Sequence, residues 1–239
     1  MTPPVFNLGM LPVDRLFDGV PDIVFFVKDA CGKYLSVNDT LAKRCGLPSK
    51  QDVIGRTAEE LFPAPLGTAF AGQDRALLAG GPAIRDHLEI HLYSGGGSGW
   101  CLTYKEPVIA PDGGIIGICG ISRDLQQPVE TGDDYAALSG CIEHIHRHLD
   151  EPPRLPALAA MAGMSIYQFD QRIRALFRLS AGQYLVKVRI DAACERLRHG
   201  AQPISRIALD CGYSDQSSFS RQFRQTVGMS PLAYRRKFR

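Results

Sequence analysis

A repeat in the second half of the chain constrains its fold more than any other feature. Six positions over 155–165 recur 49 residues later, over 204–214, with the same apolar, small or turn-forming character. In each copy a small alanine lets two helices approach closely, and a glycine (Gly163 or Gly212) permits the backbone angles of a tight turn. The repeat predicts two copies of a helix, a tight turn and a second helix.

An apolar stripe at helical spacing separates the two copies. Its members are Val186, Ile190, Ala193, Cys194 and Leu197. The stripe predicts a helix over 181–198, about 27 Å long at ~1.5 Å per residue. We therefore expect an all-α half in which this helix joins two helix-turn-helix units, at about 155–177 and about 204–227.

Basic residues are concentrated in the same half. Residues 154–239 carry 15 lysines and arginines against 5 acidic residues, a net charge of +10, although the whole chain carries only +2. Such a surface either binds a polyanion, because cations release condensed counterions from nucleic acid, or is simply solvated. Charge alone does not decide between the two. The repeat favours DNA, because the second helix of a helix-turn-helix unit lies in the major groove.

Residues 12–125 follow a different pattern, in which short β-rich runs alternate with turn signals. The runs predict the strands Ile23–Val27, Tyr34–Val37, Ile84–Tyr93, Gly99–Ile109 and Gly114–Asp124. Short helices are expected between the second strand and the third, the first of them capped by Asn38 and Asp39. We therefore expect an α+β domain over 12–125, with a five-stranded antiparallel sheet and short helices. The polar stretch 126–134 predicts a linker to an all-α domain over 135–239.

Three segments of the first domain resemble the PAS sensor family. They read FFVKDACGKYLSVNDTLAKRCG, IGRTAEELFP and GIIGICGISRDL. The resemblance implies a sheet that cups a small ligand cavity, and a domain that often forms a homodimer. No histidine that could ligate haem occurs over 67–79, and Cys45 does not match the flavin-photoadduct motif. We therefore expect no cofactor, and an empty, apolar or small-metabolite cavity for an effector of unknown identity.

The second domain resembles the AraC/XylS family of bacterial transcription regulators over about 138–238. The signature is carried by IALDCGYSDQSSFSRQFRQTVGMSPLAYR. The resemblance implies seven helices, double-stranded DNA and RNA polymerase as partners, and a cytoplasmic protein. Two recognition helices on one chain are expected to enter successive major grooves, about 34 Å apart. The expected function is therefore sequence-specific DNA binding in transcription regulation, with the PAS-like domain sensing a ligand or mediating dimerisation.

Helical phase and this resemblance together select the DNA-binding residues. The base-facing positions are Tyr167, Gln168 and Gln171 in the first unit, and Gln216, Ser217, Ser220 and Arg221 in the second. An arginine can bind guanine with two hydrogen bonds, and a glutamine can bind adenine in the same way. Phosphate contacts are expected from Arg174, Arg178, Arg206, Arg224, Arg235 and Arg236.

The first unit departs from the family pattern at two positions. Arg178 stands where many members have glycine, and Asp170 is expected on the DNA side, where its charge would repel phosphate. The second unit matches the pattern better. We therefore expect the second unit to carry more of the sequence specificity.

Two groups of residues have the chemistry of metal ligands. His87, Glu89 and His91 share one face of a strand, and Cys141, His144 and His148 share one face of a helix. A half-solvated strand explains the first group, and the polar side of an amphipathic helix explains the second. We therefore expect no metal site.

Other sequence features narrow the function classes. The seven cysteines form no Cys-x-x-Cys pair, which favours free thiols in a reducing cytosol. Neither a secretory signal nor an apolar run of about 20 residues occurs, so we expect no membrane partner. No common catalytic motif occurs, so we expect no enzyme. A PAS-linked signalling enzyme and a protein-binding adaptor remain as alternatives, and steep salt dependence of DNA binding would count against the adaptor.

Overall fold

The computed structural model describes residues 12–62, 64–92, 98–125, 133–151 and 154–238. The chain divides into two compact units, and the boundary in the sequence lies between Asp124 and Leu125. Most of the predicted linker, most of the predicted turn over 94–98, and Pro152-Pro153 lie outside the described residues. Within the described ranges, no helix has both the length and the apolar character that crossing a membrane would require.

The first unit is built on one antiparallel sheet of five strands, in the order β2-β1-β5-β4-β3. The strands are β1 Ile23–Asp29, β2 Tyr34–Val37, β3 Ile84–Leu92, β4 Ser98–Ile109 and β5 Ile115–Asp124. This confirms the predicted α+β class and the five strands. β5 lies between β1 and β4, so the first hairpin and the last three strands form one continuous sheet.

Four α-helices of the first unit are described. They are α1 Val13–Asp18, α2 Asp39–Arg44, α3 Ala58–Leu61 and α4 Leu66–Leu78. Buried Asn38 begins α2, because its Oδ1 accepts a hydrogen bond from the amide of Leu41, as predicted. The same oxygen accepts from the amide of Phe25, and the Asn38 amide group donates to the carbonyl of Ile23. One polar side chain therefore joins α2 to the first strand.

Among the described residues of the second unit, all regular secondary structure is helical, as predicted. Its helices are α5 Asp133–Arg147, α6 Leu155–Met161, α7 Ile166–Phe177, α8 Ala181–His199, α9 Ile204–Asp210, α10 Gln216–Val227 and α11 Pro231–Phe238. Asp133 and Asp134, which were expected in the linker, begin α5 instead. A long amphipathic helix can start on polar residues. The polar composition of 126–134 therefore placed the end of the linker too late in the sequence.

α8 is the central element of the second unit. It packs against α7, α9 and α11. Phe169 and Ile173 of α7 and Phe219 and Phe223 of α10 are fully buried. Burying a side chain of this size contributes about 1.5–3 kcal/mol, so these four positions hold α7 and α10 to the unit by one face each. The opposite faces of both helices remain open to solvent.

Candidate nucleic-acid interface and buried cavity

The start of α7 is fixed by a reciprocal pair of hydrogen bonds. The Ser165 hydroxyl accepts from the amide of Gln168 (3.2 Å), and the Gln168 side-chain oxygen accepts from the amide of Ser165 (2.9 Å). These bonds satisfy two backbone amides that a helix start would leave unpaired. Gln168 is exposed but already holds the helix end, so one of the predicted base-facing residues also has a structural role.

The solvent-facing side of α7 carries the other residues predicted for the first unit. Tyr167 is 72% exposed, and Gln171 and Arg174 are also exposed. Arg174 Nε donates to Asp170 Oδ2 at 2.7 Å, one helical turn away. Tyr167 and Gln171 therefore present uncharged side chains, and Arg174 presents a guanidinium that is paired within the protein.

Asp170, which was expected on the DNA side, has two partners within the protein, Arg174 and the amide of Ala181. Its Oδ1 accepts a hydrogen bond from the amide of Ala181, the first residue of α8 (2.8 Å). Burial raises the pKa of Asp170, but the Ala181 amide and Arg174 outweigh that effect, so the pKa lies below its ordinary value. The helical periodicity of the sequence placed Asp170 on α7, but it could not show that α8 begins beside this residue.

Asp215 is the exposed N-cap residue that directly precedes α10. Asp215 Oδ1 accepts from the amide of Ser218 and Oδ2 from the Ser218 hydroxyl, both at 2.8 Å. The Ser218 amide and hydroxyl lower the pKa of Asp215 to about 2. The carboxylate therefore stays charged at the positive end of the helix, where it is favourable.

The residues predicted to read bases in the second unit lie along the outer side of α10. Gln216, Ser217 and Arg221 are exposed, whereas Ser220 is half-buried. Arg224 is exposed one turn further on. The surface of α10 is therefore polar, with two arginines near its middle and end.

α7 and α10 end in the same backbone conformation on different residues. Arg178 has φ 58° and Gly228 has φ 76°, both in the left-handed region. A residue with a side chain is destabilised there by roughly 1–2 kcal/mol, whereas glycine is not. Arg178 thus occupies a glycine position with a strained backbone.

The six arginines predicted to contact phosphate fall into two groups. Arg206 pairs with Asp210 at 2.9 Å, and Arg235 donates to the carbonyl of Gln202 at 2.6 Å. Together with Arg174, these side chains are engaged within the protein. The other group consists of Arg178, Arg224 and Arg236, which are exposed and have no ion pair or hydrogen bond with another side chain among the described residues.

A cavity of about 40 Å³ lies on the inner face of the five-stranded sheet. Its lining is unusually mixed and consists of Val24, Phe26, Lys28, Tyr34, Leu41, Arg44, Phe62, Phe70, Glu89, His91, Lys105 and Ser122. Four aromatic rings and five ionisable side chains therefore share one small space. No sequence pattern singled out the two lysines, although Lys28 lies at every second position with Val24 and Phe26 and so belongs to the same face of β1.

The face of β3 that carries Glu89 points into this cavity and not into solvent. Glu89 is only 4% exposed, so the expected half-solvated strand is wrong. The carboxylate accepts hydrogen bonds from Thr103 Oγ1, from His91 Nε2 (3.1 Å) and from Gln73 Nε2 (3.2 Å). Burial raises the pKa of Glu89, but the bond to His91 and nearby positive charge outweigh this, and the pKa is lowered.

Two buried lysines share one carboxylate at the other side of the cavity. Lys28 Nζ donates to Asp74 Oδ2, and Lys105 Nζ donates to Asp74 Oδ1 at 2.7 Å. Burial lowers the pKa of Lys28 to about 8, against the effect of Asp74 and with a further contribution from Lys105. Two ammonium groups thus face one counter-charge in a dry environment.

Among the described residues, one cluster combines three metal-ligand types, namely Glu89, His91 and Cys101, whose ligand atoms lie within 4.8 Å of one another. The Arg44 guanidinium contacts His91 Nδ1 at 3.1 Å, and burial raises the pKa of the Cys101 thiol. A neighbouring cation and a protonated thiol both oppose binding of a divalent metal.

The second group with metal-ligand chemistry, on α5, is arranged differently. The thiol of Cys141 is buried and donates to the carbonyl of Leu158 at 3.4 Å. The rings of His144 and His148 stack on each other, with centroids 4.2 Å apart. Cys141 is therefore used in packing α5 against α6.

Comparison with known proteins gives a match for each unit. A family model described as a helix-turn-helix domain matches residues 158–237, and one described as a PAS fold matches residues 17–130. Regulatory protein SoxS of Salmonella typhimurium is 33% identical over 96 residues, which are 40% of this chain and 90% of SoxS. The MmsAB operon regulatory protein of Pseudomonas aeruginosa is 34% identical over 115 residues, 48% of this chain and 37% of that protein.

A solved structure also resembles the second unit. The DNA-binding domain of AdpA, in complex with a target DNA, is 31% identical; the match covers 43% of this chain and 93% of that domain, with a TM-score of 0.42. The chain thus spans nearly all of SoxS but just over a third of the length of the MmsAB regulator. The matched relatives are regulators and not enzymes, as expected from the sequence.

Proposed function

This chain belongs to the AraC family of DNA-binding transcription regulators and carries a PAS-like domain, and from this premise we propose that α7 and α10 are its two recognition helices. Each would enter the major groove of one half-site, with α8 setting the distance between them. At 1.5 Å per residue, the 19 residues of α8 extend about 28 Å. This length is of the order of one turn of the DNA double helix, about 34 Å.

The observation that carries this proposal is the common construction of α7 and α10. Each helix is 12 residues long, begins at a side-chain cap and ends on a left-handed residue. Each buries two large side chains and leaves a polar face open. A recognition helix needs this arrangement, because one face must be held rigidly while the other contacts base edges.

The proposed base contacts follow from the open faces. In α7 they are Tyr167, Gln168 and Gln171, and in α10 they are Gln216, Ser217, Ser220 and Arg221. Arg221 can donate two hydrogen bonds to guanine, and Gln171 can pair with adenine. We expect the second unit to contribute more specificity, since α10 offers an exposed arginine at its centre.

Phosphate contacts would come first from the exposed arginines that have no partner among the described side chains, namely Arg178, Arg224 and Arg236. Arg174, Arg206 and Arg235 would have to leave their partners within the protein to reach DNA. Contacts of this kind set register and affinity without reading the sequence.

For the first unit we propose binding of a small effector in the cavity of the sheet. Support comes from the ionisable and aromatic side chains that line the cavity. An effector changes DNA binding only if it favours one arrangement of the protein over another. Homodimerisation through this domain and contact with RNA polymerase stay expectations from the family resemblance.

Selection of bound duplexes from a random pool tests the recognition-helix proposal. We expect enriched sequences with two short half-sites about 10–10.5 base pairs apart, centre to centre. Footprints should cover both half-sites on one side of the duplex. Enrichment of one short element alone, or of no element, would contradict a pair of recognition helices.

A further inference from the structure

Lys28 and Lys105 are almost fully buried, with 2% and 3% of their surfaces exposed, and both line the cavity. An ammonium group has three N–H donors. Each of these two uses one donor, for Asp74. Among the described residues neither ammonium has a second hydrogen-bond partner, so four donors remain at one side of the cavity.

Aromatic rings near the ammonium groups partly compensate for the missing hydrogen bonds. Lys28 Nζ lies 4.3 Å from the ring centroid of Tyr34 and 5.2 Å from that of Phe26. Such contacts stabilise a cation, but by less than the cost of burying an ammonium with one hydrogen bond. The lowered pKa of Lys28 agrees with an incompletely compensated charge, because burial is its largest cause.

The other charged groups of the cavity already have partners. Glu89 accepts from three side chains, and Arg44 is paired with Asp124. The two lysines share a single carboxylate. Both lysines hydrogen-bond to Asp74, and the positive charge of Lys105 also helps to lower the pKa of Glu89.

We propose that this cavity binds a small monocarboxylate whose carboxylate group bridges the ammonium groups of Lys28 and Lys105. This inference rests on the effector-binding role proposed above. A carboxylate offers about four acceptor sites, which match the four remaining N–H donors, and hydrogen bonds between ammonium and carboxylate groups are strong ones. A phosphate dianion would bring a second negative charge close to Glu89.

The size of the cavity restricts the rest of the ligand. About 10–15 Å³ by this measure holds one water molecule, so about 40 Å³ holds roughly three. A body of one to three carbons would lie against Phe62 and Phe70, so we expect acids from acetate to isobutyrate to be favoured.

Isothermal titration calorimetry on the full chain tests the ligand class directly. The probes are acetate, propionate and isobutyrate, each compared with its neutral amide, and inorganic phosphate. We expect at least one acid to bind and its amide to bind at least tenfold more weakly. Equal binding of acid and amide, stronger binding of phosphate, or binding of no acid would overturn the proposal.

Variants test the site. Lys28→Met and Lys105→Met should each weaken binding of the acid at least tenfold, and Lys33→Met, at an exposed lysine of the same unit, should leave it unchanged. Asp74→Asn should strengthen it, because the acid then replaces the missing counter-charge. This gain in affinity requires a folded protein, so it tests the site even if a lysine variant fails to fold. Weaker binding by Asp74→Asn would contradict the proposal.

The same preparations are assayed for binding to duplex DNA. Loss of the carboxylate result with DNA binding intact would overturn the ligand class and leave the proposed recognition helices in place. Loss of DNA binding with carboxylate binding intact would overturn the proposed recognition helices and leave the ligand class in place.

Discussion

The carboxylate of Asp170 accepts a hydrogen bond from the backbone amide of Ala181, across the junction between α7 and α8. The first amides of a helix have no partner within the helix, so a side chain that binds one holds the helix end in place. Here that side chain belongs to the proposed recognition helix. The bond therefore fixes the angle at which α7 leaves the long helix that joins the two helix-turn-helix units.

Replacing Asp170 by alanine should destabilise the second unit by about 1 kcal/mol, because Ala181 loses an acceptor at the start of α8. Thermal unfolding followed by circular dichroism would show a lower Tm. Asp170→Asn is the matched control, since its amide oxygen can still accept from Ala181. An alanine variant as stable as the asparagine variant would contradict this role.

Replacing Arg178 by glycine should raise the stability of the second unit by about 0.5–1 kcal/mol. The reason is that glycine relieves the strain of a left-handed backbone, although it also increases the freedom of the unfolded chain. The same change removes an exposed cation, so affinity for DNA should fall while the Tm rises. Arg236→Gln removes a cation without touching this backbone, and should lower affinity with no gain in Tm.

Arg221→Ala should cost more sequence specificity than Gln171→Ala. A bidentate contact discriminates against the wrong base by about 1–3 kcal/mol, and contacts to a charged donor are the stronger ones. Footprinting of each variant on the selected duplex should show protection lost mainly at the half-site of the altered helix. Equal losses at both half-sites in both variants would count against the assignment.

The carboxyl group of Asp215 should titrate near pH 2, below its ordinary value of 3.8. Because the folded pKa is the lower one, this cap stabilises α10 above about pH 4, and the contribution is lost as the pH falls towards 2. Carbon-13 NMR of the side chain would give the midpoint directly. Ser218→Ala removes one donor and should move the midpoint upward; an unchanged midpoint would contradict the assigned cause.

Sequence patterns predicted those parts of the fold that depend on local chemistry. The apolar stripe of the long helix and the cap at Asn38 could be read from spacing alone, since each involves residues within a turn or two. Alternation along β3 also showed correctly that His87, Glu89 and His91 share a face. It could not show whether that face meets water or a cavity, because this depends on which distant segment covers the sheet.

The same limit applies to the charged side chains that were missed. Asp74 comes from α4, 46 residues after Lys28 and 31 before Lys105, so no spacing in the sequence indicates that the three meet. Asp170 illustrates the opposite case. Its place on α7 was predictable, whereas its partner Ala181 was visible only once the angle between two helices was known.

The central claim is that the second unit of this chain binds double-stranded DNA through groove-reading helices and arginine contacts to phosphate. Fluorescence anisotropy of a selected duplex, titrated with the full chain at several salt concentrations, tests it most directly. Each phosphate contact contributes about −0.9 to the slope of log affinity against log salt, so three exposed arginines predict a slope of about −3 or steeper. A flat dependence, or no binding to any duplex at low salt, would contradict the account.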